Sequence, residues 1–505
     1  MEGTSDPMMG QKRWGDTVVI GAGVGGLACA ARLAAAGQRV VVVEQADTVG
    51  GKLGLTQVEG FRFDTGPSLL TLPWTLRDTL AATGVDMDRV VTSRRLDPIA
   101  RYRFVDGTWL DAHADDDAFT AELETTFGAG AGAQWSALMA RAAHIWGVSS
   151  GPILQSALRG PRDLLPLLAD PAAVAAVAPH RTLRSIGQEY LSDPRLRMLL
   201  DRYATYSGSD PRRAPAALIT VPYAERRWGG WYLDGGLRQI ADVLAARVIA
   251  CGGVIRTRST AVGIEVTRGG VSGVRLADGS LVSADAVVAN ADAATVAHSL
   301  LPTAVAGPLR RRLKLAPRSL GGYVLLLGVR TDRLRGPAAE MAHHTVLFPD
   351  DYDQEFDSLF GRNPRYIVDP TIYVSVPRDP AVAPVGHQSW FVLVNAPRSD
   401  QVAPPPRGYA DRILELMARR GVDVRGAVTF QRQRTPSDLE HETMTPGGAI
   451  YGTSSNGRWA AFLRPANIGP VPGLYLVGGS AHPGGGLPLV LLSAAIVADA
   501  VMSRL

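Results

Sequence analysis

Glycine at the first, third and sixth positions of Gly21-Ala22-Gly23-Val24-Gly25-Gly26, with Glu44 about 20 residues further on, is a pattern that can grip a dinucleotide. Gly21 allows the tight turn, Gly23 lets backbone N–H groups approach a pyrophosphate, Gly26 lets helix and strand pack closely, and the Glu44 carboxylate accepts ribose hydroxyls. A second glycine-rich turn lies near the other end, Gly478-Gly479-Ser480-Ala481-His482-Pro483-Gly484-Gly485-Gly486-Leu487-Pro488. Its glycines, Gly479 and Gly486 among them, allow close approach to a planar ring, and a helix starting there stabilises negative charge on that ring.

Each turn needs a strand before it and a helix after it. The β-branched run at 16–20 (DTVVI) predicts the first strand, the Ala/Leu-rich stretch ending at Gly37 the helix, and 38–43 a second strand. At the far end, 474–477 (LYLV) predicts a strand, and Pro488 suits the first turn of the apolar helix after it. Between them, 102–110 reads as a hairpin turning at Asp106-Gly107, and 117–200 is mostly helical in pattern. Two or three strands are expected over 253–276, with a Gly269-Gly270 turn, and another over 286–290; both stretches are assigned to the first motif's sheet. A second sheet is expected from 322–329, 372–375 and 390–395.

The chain has 505 residues, 46% of them hydrophobic and 20% charged, which excludes a disordered or fibrous class. Its longest apolar run, near the C-terminus, falls short of the ~18–20 residues that a spanning helix needs. A formal charge of +4 without basic residues clustered on one element argues against a nucleic-acid partner. Two cysteines, Cys29 and Cys251, are too few for a disulfide framework, and a reducing cytoplasm fits them. Residues 1–14 read as a disordered tail without the apolar core of a secretory leader.

The addition Gly50-Gly51-Lys52 after Glu44 resembles the glutathione-reductase-like flavoprotein signature, in which two glycines bring a second loop to the pyrophosphate and a basic residue faces it. Family members mostly carry Arg there; Lys52 keeps the charge without the bidentate fork. The resemblance implies FAD. Over nearly its whole length the chain also resembles the bacterial-type carotenoid desaturases, the phytoene desaturases and hydroxycarotenoid 3,4-desaturases. The marks are Phe63-Asp64-Thr65-Gly66-Pro67-Ser68, Trp231-Tyr232-Leu233-Asp234-Gly235-Gly236, Asn290-Ala291-Asp292, His343-His344, Phe391-Val392-Leu393-Val394-Asn395-Ala396-Pro397 and the C-terminal glycine turn. Gly448-Ala449-Ile450-Tyr451-Gly452 with Arg464-Pro465 leans toward the 3,4-desaturase and diapocarotenoid branches.

The resemblance places the adenine side of the FAD site at Val262 and the flavin side at Gly66, Gly479 and Leu487. It implies an α/β fold: a glutathione-reductase-like Rossmann FAD domain built from 15–100, 231–302 and 441–505, with an inserted α+β substrate domain from 101–230 and 303–440. The implied reaction takes a hydride to flavin N5 and a proton to a base or water from a carbon–carbon single bond flanked by unsaturation. The polyene stabilises the cation itself, so few polar catalytic groups and no metal are expected. Such a substrate implies an enzyme resting peripherally on the inner face of the membrane, with oxygen or a quinone as electron acceptor. The apolar 151–168 segment with Arg159 and Arg162, and the Arg310-Arg311-Arg312/Lys314 cluster, are candidates for that contact.

For catalysis the candidates are His482, inside the C-terminal turn, and Asp210 with Arg213 as a base and its orienting cation. Glu225 reads as one end of a surface ion pair, and His343 and His344 as structural residues pointing to opposite faces. A carotenoid oxygenase or ketolase, a flavin amine oxidase, and a non-catalytic prenyl-lipid escort protein are the alternatives; flavin colour separates the last from the others.

Overall fold

The computed structural model describes residues 16–158, 163, 165, 169–457 and 460–504. The expected tail at 1–14, and Arg159 and Arg162 of the 151–168 segment, lie outside them.

The first sheet is parallel and five-stranded, in the order Leu474–Leu476, Ala286–Ala289, Asp16–Ile20, Arg39–Val43, Val254–Arg256. Its central strand is sandwiched in register, Val18 facing Val287 on one side and Val41 on the other. Runs of Val and Ala suit strands buried on both faces. The helices Val24–Ala35, Gln239–Ala250 and Leu487–Arg504 cover one face, their Leu, Ala and Val side chains merging with the sheet's in one core. Close approach is possible because the first helix is made of small residues, with Gly25, Gly26, Ala28, Cys29 and Ala30 all buried. Burial pushes the Cys29 thiol up to about 12, which keeps it inert.

The other face carries a three-stranded antiparallel sheet, Ala261–Thr267, Gly270–Leu276 and Leu281–Ser283. Here the structure corrects the sequence expectation. Of the 253–276 stretch, Val254–Arg256 alone joins the parallel sheet. The hairpin turning at Gly269-Gly270 pairs with Leu281–Ser283 instead and lies over the sheet, burying Ile264, Val274 and Leu276 against Val18 and Val287.

The second sheet has seven strands, in the order Val428–Arg434, Gly321–Arg330, His387–Ala396, Ile372–Ser375, His344–Leu347, Ala100–Arg103, Trp109–Ala112. All pairs are antiparallel except His344–Leu347 with Ala100–Arg103. The expected hairpin therefore forms and extends the same sheet as the three expected strands. Helices Ala131–Ser149, Leu183–Tyr190, Pro194–Arg202 and Thr220–Trp228 pack with that hairpin around Tyr102, Phe104 and Phe348, the last two stacked at 5.2 Å. Helix Tyr409–Arg419 packs its Ile413, Leu414 and Met417 against the long central strands. Among the described residues no helix is long and apolar enough to cross a membrane.

Candidate cofactor site and the space beside it

Four chain segments leave the parallel sheet at the C-terminal ends of adjacent strands: Gly21, Glu44, Asn290 and Gly478. This edge is where open α/β sheets take ligands. Gly21 has φ +92° and donates its N–H to Val43 O at 2.8 Å. A Cβ on Gly26 would lie 2.2 Å from Gly21 O, and one on Gly23 would lie 2.7 Å from Asn290 Nδ2. Gly50 N–H donates to Ala22 O at 2.8 Å, and a Cβ on Gly51 would come within 3.2 Å of Gly23 Cα. The two glycine loops thus pack backbone on backbone, leaving a cradle of N–H groups without side chains. That is the form a pyrophosphate requires.

Glu44 is buried, its Oε2 accepting from Ala22 N–H at 2.6 Å and its Oε1 from Ala46 N–H at 2.9 Å. Its carbonyl accepts from Ser259 N–H, which brings the strand holding Val262 alongside. The ladder skips Val262 between Ala261 and Gly263, so its backbone pairs with no neighbouring strand, and its side chain is 46% exposed. An exposed bulge on the strand beside Glu44 suits the edge of a planar base.

Sequence reasoning did not count Asn290 among the binding residues. Its N–H donates to Ile20 O, and its carboxamide packs where Cβ atoms on Gly23, Gly25 or Gly478 would sit. A polar residue ending a predicted parallel strand was the available signal.

Lys52 departs from expectation. Its Nζ donates to Ala449 O at 2.7 Å and Ile450 O at 2.9 Å, so two of its three donors tie the second glycine loop to the 448–452 segment. Burial pushes this ammonium down to about 8, against the opposing pull of Asp292. Gly66 packs directly on the loop, with room for no Cβ: one would lie 2.1 Å from Lys52 O. Asp64, two residues earlier, accepts the N–H groups of Leu237 and Arg238 at 2.6 and 3.2 Å, joining this motif to the one at 231–236.

The C-terminal turn is held by Arg464, also missed by the sequence reading as a site residue. Its guanidinium donates to Gly479 O (3.2 Å), Tyr451 O (3.4 Å) and Thr453 O (3.1 Å), and burial lowers it to about 10. Gly485 packs on Tyr451, whereas Gly486, at φ +103°, faces open space. Leu487 starts the last helix with its side chain in the sheet's core, so it can meet a ligand through its backbone alone.

The catalytic candidates are placed differently. His482 is buried and its Nε2–H donates to Ser156 O at 3.1 Å, tying the C-terminal turn to the segment after Ser150–Leu154. Burial pushes the imidazole down to about 4. The folded group therefore stays neutral where the unfolded one, near 6.5, takes up a proton, and its contribution to stability falls as pH drops from about 6.5 to 4. Replacing His482 by Gln removes that uptake: urea unfolding across this range is expected to show a slope shallower by up to about 1.4 kcal/mol per pH unit, and an unchanged slope refutes the assignment.

Asp210 is buried, but its partner is Arg212, which takes both carboxylate oxygens at 2.9–3.2 Å; Arg213 is exposed and the expected Asp210–Arg213 pair does not form. A side chain two residues on reaches back over this turn, while the third points outward. Glu225 is likewise no surface ion pair: it is buried and accepts from Tyr203 Oη at 2.7 Å, while Arg226 pairs with Asp116. His343 and His344 do not point apart, because His343 precedes the strand; their ring centroids are 4.5 Å apart. His344 Nδ1 meets Tyr373 Oη at 2.7 Å, and Tyr373 Oη meets Ser68 Oγ at 2.5 Å. Among the described residues no cluster of three or more His, Cys, Asp or Glu side chains could hold a metal.

Arg202, Tyr206, Tyr373 and Tyr451 are half-buried, and the Arg202 guanidinium lies over the rings of Tyr206 and Tyr373. Tyr373 meets Ser68 of the 63–68 motif and Tyr451 packs on Gly485 of the C-terminal turn, so these rings lie beside both.

A family model described as flavin containing amine oxidoreductase matches residues 24–502. The chain is 32% identical to a 4,4'-diapolycopene oxygenase of a Methylomonas species over 97% of its own length and 98% of the relative's. It is 31% identical to a hydroxyneurosporene desaturase of Rubrivivax gelatinosus over 97% and 93% of the two chains. Among solved structures it is similar to an oxidoreductase from Methanosarcina mazei, with a TM-score of 0.64 and 19% identity over 96% of this chain and all of that one, a likeness of fold. A cradle that excludes Cβ atoms, an acid beside it and near-complete alignment agree: the chain belongs to the flavin-containing amine oxidoreductase family, in its carotenoid desaturase branch, with FAD as its cofactor.

Proposed function

We propose that the protein desaturates an acyclic carotenoid, removing a hydride and a proton from adjacent carbons so that one single bond becomes double and conjugation lengthens. The observation that carries this reading is the group of half-buried rings, Tyr206, Tyr373 and Tyr451, set beside the 63–68 motif and the C-terminal glycine turn. When bound, FAD supplies the two-electron acceptor for the hydride. The glycine loops and Glu44 would hold its pyrophosphate and ribose, Val262 its adenine edge, and Gly66, Gly479, Gly486 and the Leu487 backbone its ring.

The protein's other work is positional. Tyr373, Tyr451 and Tyr206 present flat faces to an elongated polyene and keep water from it, which restricts the substrate to geometries near reaction. Asp210 is taken up by the Arg212 guanidinium and His482 by the Ser156 carbonyl, so the proton's departure rests on water or another base. The substrate reaches the enzyme from the cytoplasmic face of the bilayer, and oxygen or a membrane quinone takes the electrons onward. In the basic cluster Arg311 and Lys314 are exposed to meet lipid, whereas Arg310 and Arg312 donate inward to carbonyls.

Expression in a bacterium making phytoene, and in one making 1-hydroxylated acyclic carotenoids, tests this. A pigment with absorption shifted to the red in either host is the expected result, read after chromatography. Unchanged pigments in both overturn it.

A further inference from the structure

Among these half-buried rings sits a charge that a pure hydrocarbon has no use for. Arg202 ends the helix Pro194–Arg202 and points its guanidinium between the rings of Tyr206 and Tyr373, 5.4 and 6.0 Å from their centroids. One of its five donors goes to the Thr205 hydroxyl. Its Nε is buried and has no partner. Among the described residues no carboxylate forms an ion pair with it. The two buried acids nearby, Glu225 and Glu355, offset its charge through space but give their oxygens to other donors: Glu225 to the Tyr203 hydroxyl, Glu355 to Thr371 N–H at 2.8 Å and Asn395 Nδ2 at 2.7 Å. The Tyr352 hydroxyl, near enough to feel the guanidinium's charge, is also buried without a partner.

An enclosed cation with idle donors is costly, and proteins retain one where a ligand completes it. Guanidinium can only donate, so the completing atom is an acceptor. Tyrosine faces on either side leave room for a thin aliphatic chain bearing that acceptor, and the cation–π contacts hold the charge in place meanwhile. Beside a bare hydrocarbon its buried Nε–H would stay without an acceptor.

We propose that Arg202, flanked by Tyr206 and Tyr373, is a subsite for an oxygen atom, hydroxyl or carbonyl, carried at the end of the polyene. Anchoring that oxygen sets which carbon–carbon bond stands at the cofactor. Arg202 is on this view a specificity residue, and the proposal rests on the desaturase reading given above.

The test uses the FAD-loaded enzyme with neurosporene and 1-hydroxyneurosporene in the same detergent micelles, comparing both Kd, from the polyene's absorption change on binding, and kcat/KM. The parent enzyme is expected to favour the hydroxylated compound by about 10- to 100-fold, the range of one charge-assisted hydrogen bond. Arg202→Met, which keeps the apolar stem, is expected to bring the ratio near 1, whatever its absolute rates. Tyr206→Phe, a milder change in case the first variant does not fold, is expected to lower the ratio a few-fold. Equal Kd for the two compounds in the parent, or an Arg202→Met ratio unchanged from it, overturns the subsite. Turnover of neither compound overturns the desaturase reading instead, and the Kd ratio still decides the subsite.

Discussion

Gly26→Ala yields a protein with FAD affinity reduced about 100-fold. The Cβ would sit 2.2 Å from Gly21 O and 3.0 Å from Asn290 Cβ, so the added carbon is opposed by backbone on one side and a packed side chain on the other. Neither can swing away as a flexible side-chain tip could, and relief requires the helix to rise off its strand. Overpacking of this sort costs about 1–3 kcal/mol, and the displaced atoms are those that shape the phosphate cradle, so the cost appears in binding as well as in folding. Gly23→Ala is the informative comparison. Its Cβ meets the Asn290 carboxamide at 2.7 Å, a side chain that can rotate, so a smaller loss is expected. Flavin absorbance after dialysis and titration with FAD measure both. Equal affinity in the Gly26→Ala variant and the parent protein would show that the close packing is not what shapes the site.

The second large effect is at Arg464. Replacing it by leucine is expected to lower the unfolding free energy by about 3–5 kcal/mol and to release flavin at lower denaturant concentration than in the parent. Three carbonyls, Tyr451 O, Thr453 O and Gly479 O, lose their donor at once, and each buried acceptor left unmatched costs about 1–3 kcal/mol. Arg464→Lys should recover less than half, because one ammonium cannot span three acceptors that a planar fork reaches together. Urea unfolding followed by both tryptophan and flavin fluorescence separates loss of fold from loss of cofactor. If Arg464→Leu unfolds with the parent's midpoint, the clamp does not hold the turn.

The parts of the molecule legible in sequence are those where backbone geometry dictates residue type. Gly21, Gly26 and Gly66 stand where no Cβ fits, and Val runs at 16–20 and 39–43 stand where both faces are buried, so residue identity carried the structure directly. Arg464 and Asn290 were opaque as site residues because what they touch is set by chain folding over long separations: an arginine reads as a surface residue until a turn of bare carbonyls is brought against it. Lys52 read as a phosphate ligand for the same reason, since Ala449 and Ile450 lie far along the chain. Arg212 and Arg213 differ by a single position, and the choice between them depends on how the backbone turns after Asp210 rather than on composition. The strand His344–Leu347 was hidden by its shortness, and Val428–Arg434 by its charge, which suits the edge of a sheet where lysine and arginine discourage further pairing.

The central strand Asp16–Ile20 lies one position from Ala286–Ala289 and two from Leu474–Leu476, while the helix after it is roofed by Leu487–Arg504. During synthesis that has a temporal consequence. At about 5–20 residues per second, the ribosome needs on the order of half a minute to a minute and a half to travel from the first strand to the last. Arg39–Val43 and Gln239–Ala250 cover part of the strand and helix early, but the helix face that meets Leu487–Arg504 stays without its partner through that interval. The turn at 478–486 is made in the same late stretch, so the cradle is complete only once the first and last segments of the sheet have both emerged.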